Sequence, residues 1–289
     1  MMNKMKYRRY KDKAFLYLMF LITIIAITPL ASIIFELVAK GFNQLNISFF
    51  TEVAPTTLDS MLAKSTGNPV KGGIANGIVG TLQIVGIASL MAIPLGVFVG
   101  IYLAENPNKK FSTLVSFSTD LLAGIPSIVY GIIAYAWIVI KITDGYSGFA
   151  GSVALSIMML PLVIRSTEES IKMIPASLKE ASLALGTSYR KTILRVILPS
   201  AMSGLFTGIL LSISRVIGET APLILTALGS QVINLDITKP TSAIPLLIWE
   251  FYNDPYLINM IWSSSLFLML LVLIFNISAK QISKRWAIQ

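Results

Sequence analysis

Two side chains of opposite charge, Arg215 and Glu219, lie in the otherwise apolar stretch ISRVIGETAPLIL, residues 213 to 225. An arginine presents a planar fork of N–H donors that suits the oxygens of a tetrahedral oxyanion, and it stays protonated at any working pH. A carboxylate four residues on can hold the guanidinium, repel a bound anion so that it moves on, or accept the O–H of a partly protonated one. The residue types leave these roles open. The bland alternative is an intrahelical ion pair that only lets the segment insert, although Arg preceding Glu is the less favourable order for an i,i+4 pair. A charge at the centre of a bilayer costs about 2.5 to 3.5 kcal/mol on an insertion scale, so both groups need a wet lumen or partners.

Other chemistry is narrowly bounded. The chain has no cysteine and no histidine, which excludes disulfide frameworks, thiolate or imidazole metal sites, and Cys- or His-based catalysis. No metal site and no cofactor bound by this chain are expected. The sequence also lacks G-x-x-x-x-G-K-[ST], so the chain is not expected to hydrolyse ATP itself.

The elements that must position Arg215 and Glu219 follow from composition. Of 289 residues, 55% are hydrophobic and only 13% charged, against about 25% charged in a soluble chain. This is the composition of an all-α integral membrane protein. A hydrocarbon core of about 30 Å needs about 20 apolar residues per helix. Six runs are expected to span: Ala14 to Leu37, Ile74 to Ala104, Leu114 to Ile140, Phe149 to Ile164, Ser200 to Leu228 and Leu257 to Ala279. The fourth is short and carries Pro161 near its end. The first follows a basic stretch but is too long for a signal-peptide core and has no convincing cleavage site, so it reads as an uncleaved span.

The net charge of +9 is explained by topology. Alternating the connections puts Lys4, Lys6, Arg8, Arg9, Lys11, Lys13, Lys109, Lys110, the basic residues of 165 to 199, and Lys280, Lys284 and Arg285 on one side. The other side has only Lys40, Lys64, Lys71, Lys141 and Lys239. The positive-inside rule then places both termini and the 165 to 199 loop in the cytoplasm, and nucleic acid is not implied. The division expected is residues 1–71, a basic tail, first span and outer loop, followed by 72–289, a core of five spans. Gly41 to Gly73, with Pro55, Gly67 and Pro69, reads as loop.

Prolines add mechanics. Pro222 offers no amide to the carbonyl of Gly218, and Pro126 none to that of Leu122. Kinks are expected at both, with Gly218 and Pro222 as one candidate hinge and Gly124 and Pro126 as the other; packing kinks without a hinge role are the alternative. Thr81, Gln83, Ser127 and Tyr130 are candidate path-lining hydrogen-bonding groups, with interhelical glue as the alternative.

The loop RSTEESIKMIPASLKEASLALGTSYRKTILRVILPS (165 to 200) is organised. Ser177 and Glu180 have capping-box spacing, so a helix is expected to start there. Leu178, Ala181 and Leu185 share one narrow face, and Gly186 supplies a stop that tolerates positive φ. A second short helix is expected to end near Pro199. An amphipathic pair resting on headgroups is one reading. A docking knob for another protein is the other, because Ala181, Ser182 and Ala184 beside the leucines permit close approach.

Glu180-Ala181-Ser182, three residues, Gly186, nine residues, then Val196-Ile197-Leu198-Pro199 resembles the EAA loop of ABC importer permeases, with Ser182 and Val196 as mild departures. In that family the loop docks on a cytoplasmic ATPase, which assigns Leu178, Glu180, Ala181, Ser182, Leu185 and Gly186 to coupling. LLAGIPSIVYG (121 to 131), TEESIKMIPASLKEASLALG (167 to 186) and SRVIGETAP (214 to 222) are further similar to the phosphate-uptake permeases of the Pst system, and Ala221-Pro222 after Gly-Glu-Thr to their PstA type. The resemblance runs from about Gly72 to the C-terminus. It implies a type I ABC importer permease fold in the bacterial inner membrane, with Thr220 joining Arg215 and Glu219 on the substrate path. The partners implied are a PstC-type permease, a PstB-type ATPase dimer carrying ATP-Mg, and a PstS-type extracytoplasmic phosphate-binding protein. A permease for molybdate or sulfate, or a secondary anion transporter or channel, are the competing functions.

Overall fold

In the computed structural model, residues 2–67 and 70–287 are described. Pro69 of the expected outer loop lies outside them, as do the side chains of Lys4, Lys6, Arg8, Arg9, Lys64, Lys284 and Arg285. The chain runs through α1 (Met2–Gly41), α2 (Ile47–Thr51), α3 (Thr57–Thr66), α4 (Ala75–Glu105), α5 (Lys110–Gly124), α6 (Ser127–Ala134, continued by a π turn at Tyr135–Val139) and α7 (Gly148–Lys172). There follow α8 (Ala176–Ala184), α9 (Tyr189–Thr192, leading through a π turn at Ile193–Ile197 into the next helix), α10 (Leu198–Ile217), α11 (Ala221–Ile224), α12 (Ile244–Tyr252) and α13 (Ile258–Ala287).

Among the described residues, five helical runs are long and apolar enough to cross a membrane: Tyr10–Gln44, Ala75–Glu105, Gly148–Lys172, Tyr189–Ile217 and Ile258–Ser278. The expected third span is instead two helices, Lys110–Gly124 and Ser127–Val139, meeting at 104°. Pro126 causes the corner. It removes the amide that would bond the Leu122 carbonyl and drives Ile125 to extended backbone at ψ 133°. The freed carbonyl accepts from the Ile125 amide at 3.1 Å and from the Tyr130 hydroxyl.

The fourth span is longer than its apolar run. Ser147 caps it by accepting from the Ala150 amide at 3.1 Å, and the helix passes through buried Pro161 to Lys172. Neighbouring helices enclose that turn, which is the condition under which proline is tolerated inside a span. Consequently residues 165–172 belong to α7 and not to a cytoplasmic loop. The helix expected to stop near Pro199 continues as well. A π turn hands over to α10, and Pro199, which offers no amide, falls just beyond that turn, where the regular i→i−4 ladder is already interrupted.

The fifth span starts earlier than expected and breaks before it is complete. Gly218 caps α10 at Ile217, and after Glu219 and Thr220 the short α11 begins with Pro222 in its first turn. A break replaces the expected kink. The chain still reaches the outer end of α7, since the Ser147 amide bonds the Thr226 carbonyl at 2.8 Å.

At the centre of the molecule α4 lies along α7, where a Cβ on Gly100 would fall 2.5 Å from Thr167. In lipid, such close backbone approach replaces the hydrophobic effect as the source of helix association. Buried Ile84, Ala88, Leu155, Met159, Val216 and Leu223 complete this core. By contrast α1 is exposed along its apolar length and rests on α13, with Gly41 against Leu266 and Lys40 over the Trp262 ring.

The outer segment is folded rather than loop. Thr56 and Asp59 form a capping box at the start of α3, with the Thr56 amide on Asp59 at 2.9 Å and the Asp59 amide on Thr56 Oγ1 at 3.2 Å. Phe49 and Ala54 pack with Leu247, Phe251 and Met260 of α12 and α13. Ser60 donates to buried Asp254 at 2.6 Å.

Candidate functional site

Antiparallel packing of α10 on α7 sets the depth of the candidate charges. Gly204 faces Ser170 and Gly208 faces Ser166, and Arg215, in the last turn of α10, lines a cavity with Met158. At ~1.5 Å per residue that is roughly 15 Å in from the outer end of α7 at Gly148, near mid-membrane. The cation sits where the helix stops, beside the partial negative charge of its terminal carbonyls.

The cavity has a volume of about 280 Å³. The corner between α5 and α6 contributes Leu122, Ala123, Ile125 and Tyr130; α7 contributes Met158, Pro161, Leu162, Arg165, Ser166 and Glu169; α10 contributes Arg215. The proline break in α5 and α6 therefore builds one wall. Its charged groups are two arginines and Glu169.

These arginines are held very differently. The Arg165 guanidinium donates from Nε to Asp120 at 3.0 Å, from one terminal nitrogen to Glu168 at 2.7 Å, and from the other to the Ser116 hydroxyl at 2.8 Å and carbonyl at 3.1 Å. Glu168, its side chain only 8% exposed, also takes Lys172 at 2.6 Å. Arg215 has its side chain 52% exposed, with Nε 3.8 Å from Glu219 Oε1. That separation is an ion contact and not a hydrogen bond.

Of the residues singled out in the sequence, Arg215 and Tyr130 line the cavity. Tyr130 is 3% exposed and staples the corner through Leu122. Glu219 lies beside Arg215 in the break. Thr220 is half-buried, its carbonyl accepting from the Leu223 and Ile224 amides. Ser127 opens α6 without lining the cavity, Gly124 closes α5, and Pro126 is the corner. Gly218 caps α10, and Pro222 is buried against Gly131 of α6, so the two breaks touch.

Thr81 and Gln83 are not at this cavity. Buried Thr81 accepts from the Ile244 amide at 2.9 Å and so anchors the start of α12. Gln83 donates to the Leu235 carbonyl at 3.2 Å, tying α4 to the outer connection. Conversely Arg165, Glu168, Glu169 and Asp120 were not singled out. The available signal was the i, i+3, i+4, i+7 spacing of Arg165, Glu168, Glu169 and Lys172, which puts charges along one helix face.

At the cytoplasmic end, α8 starts one residue before Ser177, with Pro175 in the capping position and no side-chain cap. The capping box expected there does not form. Gly186 at φ +79° does stop the helix: its amide bonds the Leu183 carbonyl at 2.9 Å and the Thr187 amide reaches the Ser182 carbonyl at 3.3 Å, a Schellman ending. Leu178, Glu180, Ala181 and Leu185 are exposed. Ser182 points inward, 8% exposed, and shares a 3.0 Å hydrogen bond with Thr192. It joins α8 to α9 and does not belong to the outer face.

Residues 92–288 match the family described as binding-protein-dependent transport system inner membrane component. The chain belongs to this family. The match takes in both arginines and α8, and leaves out α1. Among relatives of the permease, the phosphate transport system permease protein PstA of Yersinia pestis is 37% identical over 283 residues, covering 97% of this chain and 92% of that one. PstA 1 of Mycobacterium tuberculosis is 34% identical over 279 residues, covering 95% and 88%. The fold is shared with solved ABC transporters. An inward-facing MetNI methionine transporter matches with a TM-score of 0.63 at 20% identity over 73% of this chain and 94% of that one. A bacterial importer of the acidic polysaccharide alginate gives 0.61 at 16% identity over 96% and 98%. The permease is thus an inner-membrane component of a binding-protein-dependent transport system.

Proposed function

We propose that this chain is a permease subunit of an ATP-driven inorganic phosphate importer, with Arg215 as the group that meets the anion. The observation that carries the reading is the state of Arg215: a half-exposed guanidinium at mid-membrane, facing a cavity, without a hydrogen-bonded carboxylate. The naming of the relatives points to the same substrate. Arg165 lines the same cavity, but its donors are occupied by Asp120, Glu168 and Ser116 and its charge is offset there, which leaves Arg215 as the cation free to meet an anion. Glu219 and Glu169 supply carboxylates that accept the O–H of a protonated phosphate and offset retention of the anion by Arg215. Fully deprotonated sulfate and molybdate have no such proton to give, which favours phosphate over the other oxyanions.

The cavity would be completed by a second permease subunit of the PstC type. Exposed Leu178, Glu180, Ala181 and Leu185 of α8 would seat on a PstB-type ATPase dimer, where ATP-Mg is bound and hydrolysed, and a PstS-type binding protein would deliver phosphate from outside. A secondary transporter or channel needs no ATPase handle, so the exposed, Gly186-terminated helix argues against that alternative. The test is reconstitution with these partners in vesicles and measurement of labelled phosphate uptake. ATP-dependent uptake that excess sulfate does not compete is expected. Uptake without internal ATP, or equal competition by sulfate, would overturn the reading.

A further inference from the structure

An acidic residue at the last position of a helix opposes the helix dipole. Glu105 occupies that position at the cytoplasmic end of α4, with its side chain only 9% exposed. Two groups from the coupling segment converge on it. The Lys179 ammonium of α8 and the Tyr189 hydroxyl of α9 both donate to Glu105 Oε2, and the ammonium lies 4.9 Å from the centre of the Tyr189 ring. Burial acts to lower the Lys179 pKa, but the hydrogen bond and charge of Glu105 outweigh it and hold the ammonium above its ordinary value. The ammonium therefore keeps its proton at neutral pH.

Connectivity gives this contact a consequence. From α9 the chain continues through the π turn into α10, which carries Arg215 in its last turn. From Glu105 the rigid α4 runs back along α7, and Gly100 presses on Thr167, two residues from Arg165. One carboxylate thus joins the docking helix to both elements that carry the cavity arginines. The Glu105 carboxylate is enclosed against α8 and α9 and is not part of the exposed face expected to meet the ATPase.

We propose that Glu105, Lys179 and Tyr189 form a clasp that makes α4 and α7 follow the coupling helix, so that Arg165 and Arg215 are displaced together when the ATPase moves α8. These are positioning residues: they touch neither the anion nor ATP. The proposal rests on the coupling role given to α8 above.

Glu105→Gln, Tyr189→Phe and the exchange Glu105→Lys with Lys179→Glu would be reconstituted with the partner subunits. Phosphate transported per ATP hydrolysed and ATPase retained on purification would both be measured. Loss of a charge-assisted contact predicts about a tenfold fall in phosphate per ATP for Glu105→Gln, with a smaller fall for Tyr189→Phe, the ATPase retained at its full proportion and coupling recovered in the exchange variant. An unchanged ratio in both single variants would overturn the clasp. So would a fall that tracks loss of the ATPase, since the three residues would then only shape the docking helix. Should Glu105→Gln fail to assemble, Tyr189→Phe decides alone by the same ratio. Wild-type uptake without ATP would refute the transport reading itself, and it is read separately from these ratios.

Discussion

Arg165 and Arg215 share one cavity yet differ in almost every physical respect. Arg165 has its donors occupied by Asp120, Glu168 and Ser116, and buried Glu168 is itself neutralised by Lys172. Arg215 projects from a helix that has just ended and meets Glu219 only at 3.8 Å. A guanidinium whose fork is already filled by carboxylates has few donors left for an anion; one whose fork is open can exchange partners. On the proposed reading, the open fork of Arg215 would take the anion while the filled fork of Arg165 would keep the cavity from trapping it.

Removing the open arginine should have the largest effect. Arg215→Ala deletes the only fork facing the cavity that is not already hydrogen-bonded to a carboxylate, and by analogy with truncated buried charge pairs costs roughly 2 to 5 kcal/mol of anion affinity. Phosphate uptake in vesicles is expected to be abolished while the complex purifies intact. Arg215→Lys should restore little, because an ammonium is a point charge without the bidentate geometry. Substantial transport by either variant would reduce Arg215 to a structural charge.

Breaking the clamp on Arg165 should come next and should act differently. Glu168→Gln removes the buried carboxylate that Arg165 and Lys172 share, but Arg165 keeps Asp120 and Lys172 is half-exposed, so the cost should be that of lost charge-assisted hydrogen bonds, about 1.5 to 3 kcal/mol. Thermal melting of the purified complex should fall by several degrees, with uptake reduced in proportion to folded protein. A variant that melts normally but binds phosphate more tightly would mean that Glu168 controls anion release, as Glu219 is expected to.

The same contrast separates what was legible in the sequence from what was not. Local chemistry was legible: breaks fall at Pro126 and just before Pro222, and Gly186 stops α8 through its positive φ. Arg215 and Glu219 stood out because charges are rare in an apolar run. Arg165 was hidden because the apolar run ends at Ile164, whereas the helix itself carries on to Lys172. The Ser177 capping box failed for a different reason. Pro175 takes the capping position, which leaves Ser177 inside the first turn. Thr81 and Gln83 bond to Ile244 and Leu235, far along the chain, and no local pattern announces such partners.

Glu219 tests whether the looseness of Arg215 is functional. Its side chain is 21% exposed and lies 3.8 Å from the guanidinium, so replacement by Gln removes an attraction partly screened by water, of order 1 kcal/mol. If Glu219 assists release, Glu219→Gln should lower the maximal uptake rate about fivefold and also lower the phosphate concentration for half-maximal uptake. A raised half-maximal concentration would instead mark the carboxylate as an acceptor for the phosphate proton.

The smallest change concerns the wall that faces both arginines. Tyr130 staples the Pro126 corner through the Leu122 carbonyl, which also accepts from the Ile125 amide at 3.1 Å. Tyr130→Phe therefore leaves that carbonyl one donor, and the cost should stay near 1 kcal/mol rather than reach the penalty of an unsatisfied buried group. Gly131 bears on Pro222, so loosening the corner reaches the break that carries Glu219. Uptake should fall two- to fivefold with the complex intact, and Gly131→Ala, whose Cβ would lie 2.8 Å from the Pro222 Cα, should lower it further. Full uptake by Tyr130→Phe alongside a strong loss in Gly131→Ala would show that contact between the two breaks, and not the hydroxyl staple, sets the wall opposite Arg165 and Arg215.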